Sequence, residues 1–220
     1  MYNKIAIIRK IDDGTATSVN DLARTISNYG HHRNIPVFDH HTGTELPAGA
    51  TDILFVSLGG DGTMLFAADL SMQYRNTGIV GFNLGNLGFL TEDLDRSAPS
   101  RSVADVKTDI DIFAFLDAII NNDSHTVKPD IRMMLEVSVI VDNKDENIVH
   151  HAMNEVTLYT SLRNFMNTTV AVNQMPVGKF GGNGVAVTTS TGSTALGLSA
   201  GGAIISPNTN VMQIVPLLRS

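Results

Sequence analysis

Cysteine is absent from the 220 residues, which excludes disulfides, thiolate zinc sites and a thiol nucleophile together and leaves stability to packing. Long apolar runs are absent too. No stretch approaches the roughly 20 residues that a membrane helix needs, and Met1-Tyr2-Asn3-Lys4 leads only into Ile5-Ala6-Ile7-Ile8, too short a run for a signal peptide. A cytoplasmic protein with no membrane partner is the expectation. Positive charge is scarce: 15 Lys and Arg stand against 22 Asp and Glu, for a formal charge of −7. The basic residues are scattered, which argues against nucleic acid or an anionic membrane surface as partner. What is there suits a folded globular chain, with 43% hydrophobic and 17% charged residues. A phosphorylated small molecule stays open as a ligand, because backbone amides, a helix N-terminus and a divalent cation can hold phosphate without a basic patch.

Ile5-Ala6-Ile7-Ile8 reads as a buried strand. From Ser18, with Asp21 as a variant capping box, Val19, Leu22, Ile26 and Tyr29 fall on one helix face, and Gly30 is expected to end that helix. Ile35 to Phe38, Ile53 to Leu58 and Ile79 to Asn83 read as further strands, Pro36 favouring an edge. Strands alternating with helices imply a doubly wound, mostly parallel α/β sheet, whose ligands bind beyond the carboxyl ends of its strands. The texture then changes. A polar stretch from Thr91 to Arg101 precedes a helix with Ile112, Phe113, Leu116, Ile119 and Ile120 on its apolar face. Beyond it Leu135, Val137, Val139 and Val141 alternate at period two, Asp142 to Asp145 supplies a turn, and short strands fit Ile148 to Met153, Val156 to Tyr159, Thr168 to Val172 and Val185 to Thr188. The expected organisation is an N-terminal α/β domain over residues 1–98 and a β-rich, sandwich-like domain over 99–220.

The stretch that stands out is Gly59-Gly60-Asp61-Gly62-Thr63, between the apolar run ending at Leu58 and the helical Met64-Leu65-Phe66-Ala67-Ala68. A carboxylate in a glycine turn from strand to helix suits phosphate chemistry, since glycines admit a ligand close to the backbone and helix-start amides receive phosphate oxygens. The same five residues equally suit a tight connection with Asp61 as N-cap. Taken by themselves, Asn154-Glu155 reads as a hairpin turn, Phe89 as core, and Ser193, Thr194 and Ser199 as helix caps. The adjacent pairs His31-His32, His40-His41 and His150-His151 lack the spacing for two ligands on one helix face.

Four stretches taken in order go further. Gly59 to Thr63, Gly81-Phe82-Asn83-Leu84-Gly85-Asn86-Leu87-Gly88-Phe89-Leu90, Asn154-Glu155-Val156, and Asn183-Gly184-Val185 running on through Thr191-Gly192-Ser193-Thr194-Ala195 to Ser199-Ala200-Gly201-Gly202 resemble the NAD kinases. The resemblance implies Mg²⁺-assisted transfer of a phosphoryl group from ATP, or polyphosphate, to the adenosine ribose 2′-hydroxyl of NAD, giving NADP. Asp61 would be the catalytic base, orienting the hydroxyl and accepting its proton, while positioning and charge neutralisation supply most of the rest. Gly60 and Gly62 would give room and amides near phosphate. By the same resemblance Asn154, Thr194 and Ser199 would recognise adenine and Glu155 would lie near the ribose. Leu65 and Phe89 would wall the purine, and Ala195 and Asn183 would complete the substrate-binding set. No residue is assigned to the metal, and a homo-oligomer, dimer or tetramer, is implied.

The chain also departs from that family, which usually has aspartate at Asn183, proline at Ser190, tyrosine at Leu196 and proline at Ala203. Asn183 loses charge and Leu196 loses a ring face and a hydroxyl, so weakened dinucleotide affinity is expected. In the family the chain returns to complete the N-terminal domain, and the expectation is that this return segment is lacking here, with a compact natural variant, a piece of a split protein and a truncated chain all left open. The alternatives are a non-catalytic dinucleotide-binding protein and a lipid kinase of the diacylglycerol or sphingosine type, which resembles the chain in Gly59 to Thr63.

Overall fold

The structure is a computed structural model that describes residues 1–9, 16–84, 90–91, 109–140, 148–161 and 164–217. The chain divides into two compact units, Met1–Pro129 and Asp130–Ser220. In the first unit β1 (Lys4–Arg9), β2 (Val37–Asp39), β3 (Thr51–Gly59) and β4 (Arg75–Asn83) form one sheet in the order β2-β1-β3-β4, every pair parallel. Both faces of this sheet are covered, which is why its strands read as continuous apolar runs rather than alternating ones. On one face Ile5, Ile7, Leu54, Val56, Leu58, Val80 and Phe82 pack with helices α1 (Ala16–Arg33) and α3 (Asp109–Ile120). On the other, Ala6, Ile8, Ile53 and Phe55 pack around Ala67 of α2 (Asp61–Ser71). The connections run outward in opposite directions from β1 and β3, so the crevice beyond their carboxyl ends is the switch point where open α/β sheets bind ligands.

Two expectations about the first helix change. Helix α1 begins before Ser18 and runs past Gly30 to Arg33; it ends at Asn34, whose φ of 55° is left-handed, with the Ile35 amide donating to the Gly30 carbonyl at 2.8 Å. The apolar face named from periodicity does go to the core, with Val19, Leu22, Ile26 and Tyr29 all buried. The compact first unit runs to Pro129 and includes α3. Ile112, Leu116 and Ile120 bury against the sheet, the buried Tyr29 hydroxyl donates to Asp117 Oδ1 at 2.8 Å, and Arg33 Nε donates to the same oxygen at 2.9 Å.

The second unit is antiparallel. Its strands are β5 (Leu135–Val139), β6 (Ile148–Ala152), β7 (Glu155–Tyr159), β8 (Met166–Val172), β9 (Met175–Gly182), β10 (Gly184–Thr188) and β11 (Gln213–Leu217). They make a three-stranded sheet β11-β10-β7 and the hairpins β5-β6 and β8-β9. Strands β9 and β11 were not foreseen. Each carries a proline, Pro176 and Pro216, that demotes a strand by pattern; β11 is an edge strand, and Pro176 sits beside the register shift at Val170/Ala171. The expected turn at Asp142 to Asp145 lies outside the described residues. Among the described residues no helix is long and apolar enough to cross a membrane.

Candidate functional site

In the first unit the glycine turn leaves the carboxyl end of β3, and Asp61 is the first residue of α2. Gly60 takes the N-cap position with φ −92° and no side-chain cap. Asp61 therefore does not cap the helix. Its Oδ1 instead accepts a hydrogen bond from the Leu90 amide at 3.1 Å, which draws the chain beyond β4 over the turn. Gly59 pairs in register with Asn83, and the Leu84 amide donates to the Gly59 carbonyl at 3.4 Å, so the ends of β3 and β4 are tied beneath the turn.

The glycines at 60 and 62 are not required by backbone conformation, since neither has positive φ. A Cβ built at either would meet nothing within 4 Å among the described residues. Among the described residues, glycine thus leaves the first amides of an 11-residue helix uncrowded, where a phosphate can approach closely. Leu65, one helical turn after Asp61, is half-buried. Arg9, at the end of β1, is held by Asp39 at the end of β2, Nη2 to Oδ2 at 2.7 Å, and donates to Asn20. Its charge is thus neutralised within the sheet rim.

In the second unit Asn154 and Glu155 sit at the start of β7, beside the end of β10 and the turn that follows it. That turn is a 3₁₀ segment, Thr191–Thr194, and then a four-residue helix α4 (Leu196–Ser199). The Thr189 amide donates to the Asn154 carbonyl at 2.8 Å, the Thr189 hydroxyl donates to the Met153 carbonyl at 2.5 Å, and the Gly192 amide donates to the Thr189 hydroxyl at 2.9 Å. Gly192 lies so close that a Cβ on it would come within 2.0 Å of the Asn154 carbonyl oxygen, so only glycine allows this approach. Ser193 Oγ donates to the Ser190 carbonyl at 2.7 Å and receives the Ile205 amide at 3.0 Å. The result fixes Asn154, Glu155, Thr194 and Ala195 on one polar corner. Thr194 and Ser199 are exposed there, and Glu155 is half-buried.

Burial pushes the Glu155 carboxyl above its ordinary range, and a hydrogen bond from the Leu196 amide partly offsets this. Asn183 is not part of the corner. It precedes β10 at the opposite end from Thr188, roughly 15 Å away at strand rise, where its Nδ2 donates to the Asn164 carbonyl at 3.4 Å. Phe89 lies outside the described residues.

Two further departures also have local partners. Ser190 Oγ donates to the Pro207 carbonyl at 3.1 Å, and the Ala203 amide, which a proline would lack, donates to Gln213 Oε1 at 2.6 Å. Leu196 is exposed and the structure gives no reason for it. Sequence reasoning missed the bracing role of the Thr189 hydroxyl. It also missed Arg132, whose Nη1 donates to Thr191 Oγ1 at 3.4 Å while the guanidinium pairs with Asp130. The Thr-rich run could have suggested the first; no local spacing signals the second.

Comparison with known proteins gives the two halves a common context. Residues 9–106 match the ATP-NAD kinase N-terminal domain and residues 153–219 the ATP-NAD kinase C-terminal domain. An NAD kinase of Bifidobacterium longum (strain DJO10A) is 33% identical over 177 residues, 80% of this chain and 47% of that protein. One of Sulfurimonas denitrificans is 36% identical over 163 residues, 74% of this chain and 50% of that protein. The chain thus spans about half the length of the curated relatives it matches. Among solved structures, yeast NADH kinase complexed with NADH superposes with a TM-score of 0.73 at 23% identity, covering 100% of this chain and 67% of that one. An NAD kinase from Archaeoglobus fulgidus in complex with ATP gives 0.59 at 19%, covering 98% and 72%. At those identities the two structures establish the likeness of fold.

Proposed function

The chain belongs to the ATP-NAD kinase family, and on that premise we propose that it transfers a phosphoryl group from ATP to the adenosine ribose 2′-hydroxyl of NAD, giving NADP. The observation that carries the reading is Asp61: a carboxylate at the switch point of a parallel sheet, on the first residue of α2, held by the Leu90 amide and flanked by open space at Gly60 and Gly62. A ribose hydroxyl is a weak nucleophile. Asp61 orients it and accepts its proton as the bond to phosphorus forms. The turn amides and the start of α2 receive phosphate oxygens, which is the kind of fixed positive potential that phosphoryl transfer uses in place of covalent catalysis. Leu65 offers an apolar surface for the purine.

In the second unit Asn154, Thr194 and Ser199 supply the donors and acceptors that adenine requires, with Ala195 against the base and Glu155 near the ribose. The described residues hold no group of three or more His, Asp or Glu. On this reading Mg²⁺, which keeps several waters and takes few protein carboxylates beside substrate phosphates, would lie with the donor's phosphates and neutralise their charge. A cytoplasmic homo-oligomer is part of the same reading. Exposed Tyr159, Phe165, Met175 and Val177 in the second unit are apolar surface that a second copy would cover.

The test is a coupled assay for NADP with Mg²⁺, ATP and NAD on the chain and on Asp61→Asn. NADP from the first and a deep loss in the second are expected; no NADP from either overturns the reading. A second reading, dinucleotide binding without turnover, is favoured by Asn183, which brings an uncharged amide already engaged with the Asn164 carbonyl. NAD binding with no product from ATP or polyphosphate would select it.

A further inference from the structure

The β7-β10 ladder places Glu155 directly opposite Thr188, so their side chains leave the same face with Cβ atoms about 5 Å apart. Thr188 is fully buried. Its Oγ1 and the Oε2 of Glu155 are both buried polar atoms without a hydrogen-bond partner. They are chemically complementary, since an ionised carboxylate only accepts and a hydroxyl can donate. A third element touches both. The Leu196 amide donates to the Glu155 carboxylate, and a Cβ on the next residue, Gly197, would lie 3.0 Å from the Thr188 methyl and 3.5 Å from its hydroxyl. Two orphaned polar groups facing each other under one peptide are an incomplete hydrogen-bond network, and buried polar groups rarely stay unpaired.

We propose that Thr188 is a positioning residue for Glu155: its hydroxyl donates through one enclosed water to Glu155 Oε2 and fixes the carboxylate at the Asn154–Thr194 corner. A buried water needs polar partners on more than one side, and Thr188, Glu155 and the α4 backbone supply them. The desolvation that pushes the Glu155 carboxyl upward gives the contact its leverage, because a carboxylate short of donors is the group such a hydroxyl helps most. The hydroxyl and the methyl of Thr188 face different tasks, and the two can be separated. Thr188→Val keeps the methyl packing on Gly197 and deletes the hydroxyl; Thr188→Ser does the reverse.

The consequence for NAD rests on the proposed reading of the second unit, whereas the contact itself does not, so the experiment has two arms. In thermal unfolding, Thr188→Val is expected to lower Tm by about 4 °C and Thr188→Ser by clearly less. The Val effect should shrink to near zero in a Glu155→Leu background, which has no acceptor for the hydroxyl. In equilibrium binding of NAD, Val is expected to weaken affinity about tenfold, Ser restoring most of it, with kcat changing less than KM. A chain that binds no NAD while the thermal cycle shows coupling would fail the dinucleotide reading and keep the contact. If Val is harmless and Ser is not, or if the Thr188 and Glu155 effects simply add, Thr188 only packs against Gly197 and the inference is overturned.

Discussion

The two units solve the problem of stability differently. The first buries Tyr29, Phe55, Phe82, Leu116 and a row of Ile, Leu and Val side chains completely, on both faces of one sheet. The second buries few large apolar side chains, chiefly Leu135, Met153, Val185 and Val215, and leaves Leu158, Tyr159, Phe165, Met175 and Val177 exposed. Its order comes instead from strand ladders and from hydroxyls tied to carbonyls, as in Ser190, Ser193 and Thr189. Apolar burial is non-directional and tolerant, whereas a polar network is accurate but costly when incomplete. A packed first unit is suited to holding one carboxylate rigidly at a strand end. A polar second unit is suited to presenting several donors and acceptors to a ligand.

The largest effect expected on this division is catalytic. Asp61→Asn should lower the rate of NADP formation by roughly 10²–10⁴-fold, the usual worth of a positioned base, while NAD affinity measured by calorimetry stays close to that of the parent chain. Comparable losses of rate and affinity would mean that chemistry and recognition are not divided in this way. Next in size is packing. Phe82→Ala should cost about 3–5 kcal/mol in denaturant unfolding, whereas Leu158→Ala, at an exposed position of β7, should stay within about 0.5 kcal/mol. Equal costs would remove the contrast between the units. Smaller again, Thr194→Ala should raise the KM for NAD about tenfold, near 1.4 kcal/mol, and leave kcat within a few-fold. A change confined to kcat would take Thr194 out of recognition.

The same contrast explains what could be read from the sequence. Strands of the first unit were legible because burial on both faces writes itself as continuous apolar runs, as in Ile53 to Leu58, and α1 and α3 because their apolar residues recur at helical spacing. The glycine turn was legible as a strand-to-helix connection, but whether Asp61 capped the helix was not; that depended on the Leu90 amide, 29 positions away. In the second unit β9 and β11 were hidden by Pro176 and Pro216, because a strand at an edge or beside a register shift tolerates what a central strand does not. Asn154 and Thr194 were singled out through motif order, and the structure brings the segments that carry them together through the Thr189–Asn154 hydrogen bond. The bracing by Thr189 and Arg132 was not legible, since it depends on backbone carbonyls and tertiary proximity that no local pattern encodes. The tie of α3 to α1 was equally illegible, since Asp117 meets Tyr29 and Arg33 across more than 80 positions.

The smallest effect separates the units by sign. In the first, hydrogen bonds hold several carboxyls below their ordinary range: Asp117 through Arg33, Asp52 through Thr51 and Asn76, and Asp123 through Thr126. A carboxylate depressed in the folded state stabilises above its unfolded pKa, and that contribution is lost as pH falls through the folded value. Below about pH 3.8, the ordinary aspartate value, the first unit should therefore weaken. In the second, Glu155 is raised by desolvation. Its ionised form is disfavoured in the folded state, so the destabilisation is present at neutral pH, shrinks as pH falls through the raised value, and is gone below the ordinary 4.5. Hydrogen exchange followed from pH 7 to pH 5 should thus show amides of β7 and β10 gaining protection, after correction for intrinsic exchange, relative to those of β1 and β3. The acid weakening of the first unit should be modest, because Arg33 and Asp117 are partly exposed and screened by solvent. Glu155→Gln should abolish the gain in β7 and β10 and leave β1 and β3 unchanged; a gain that survives the substitution would locate the titrating group elsewhere.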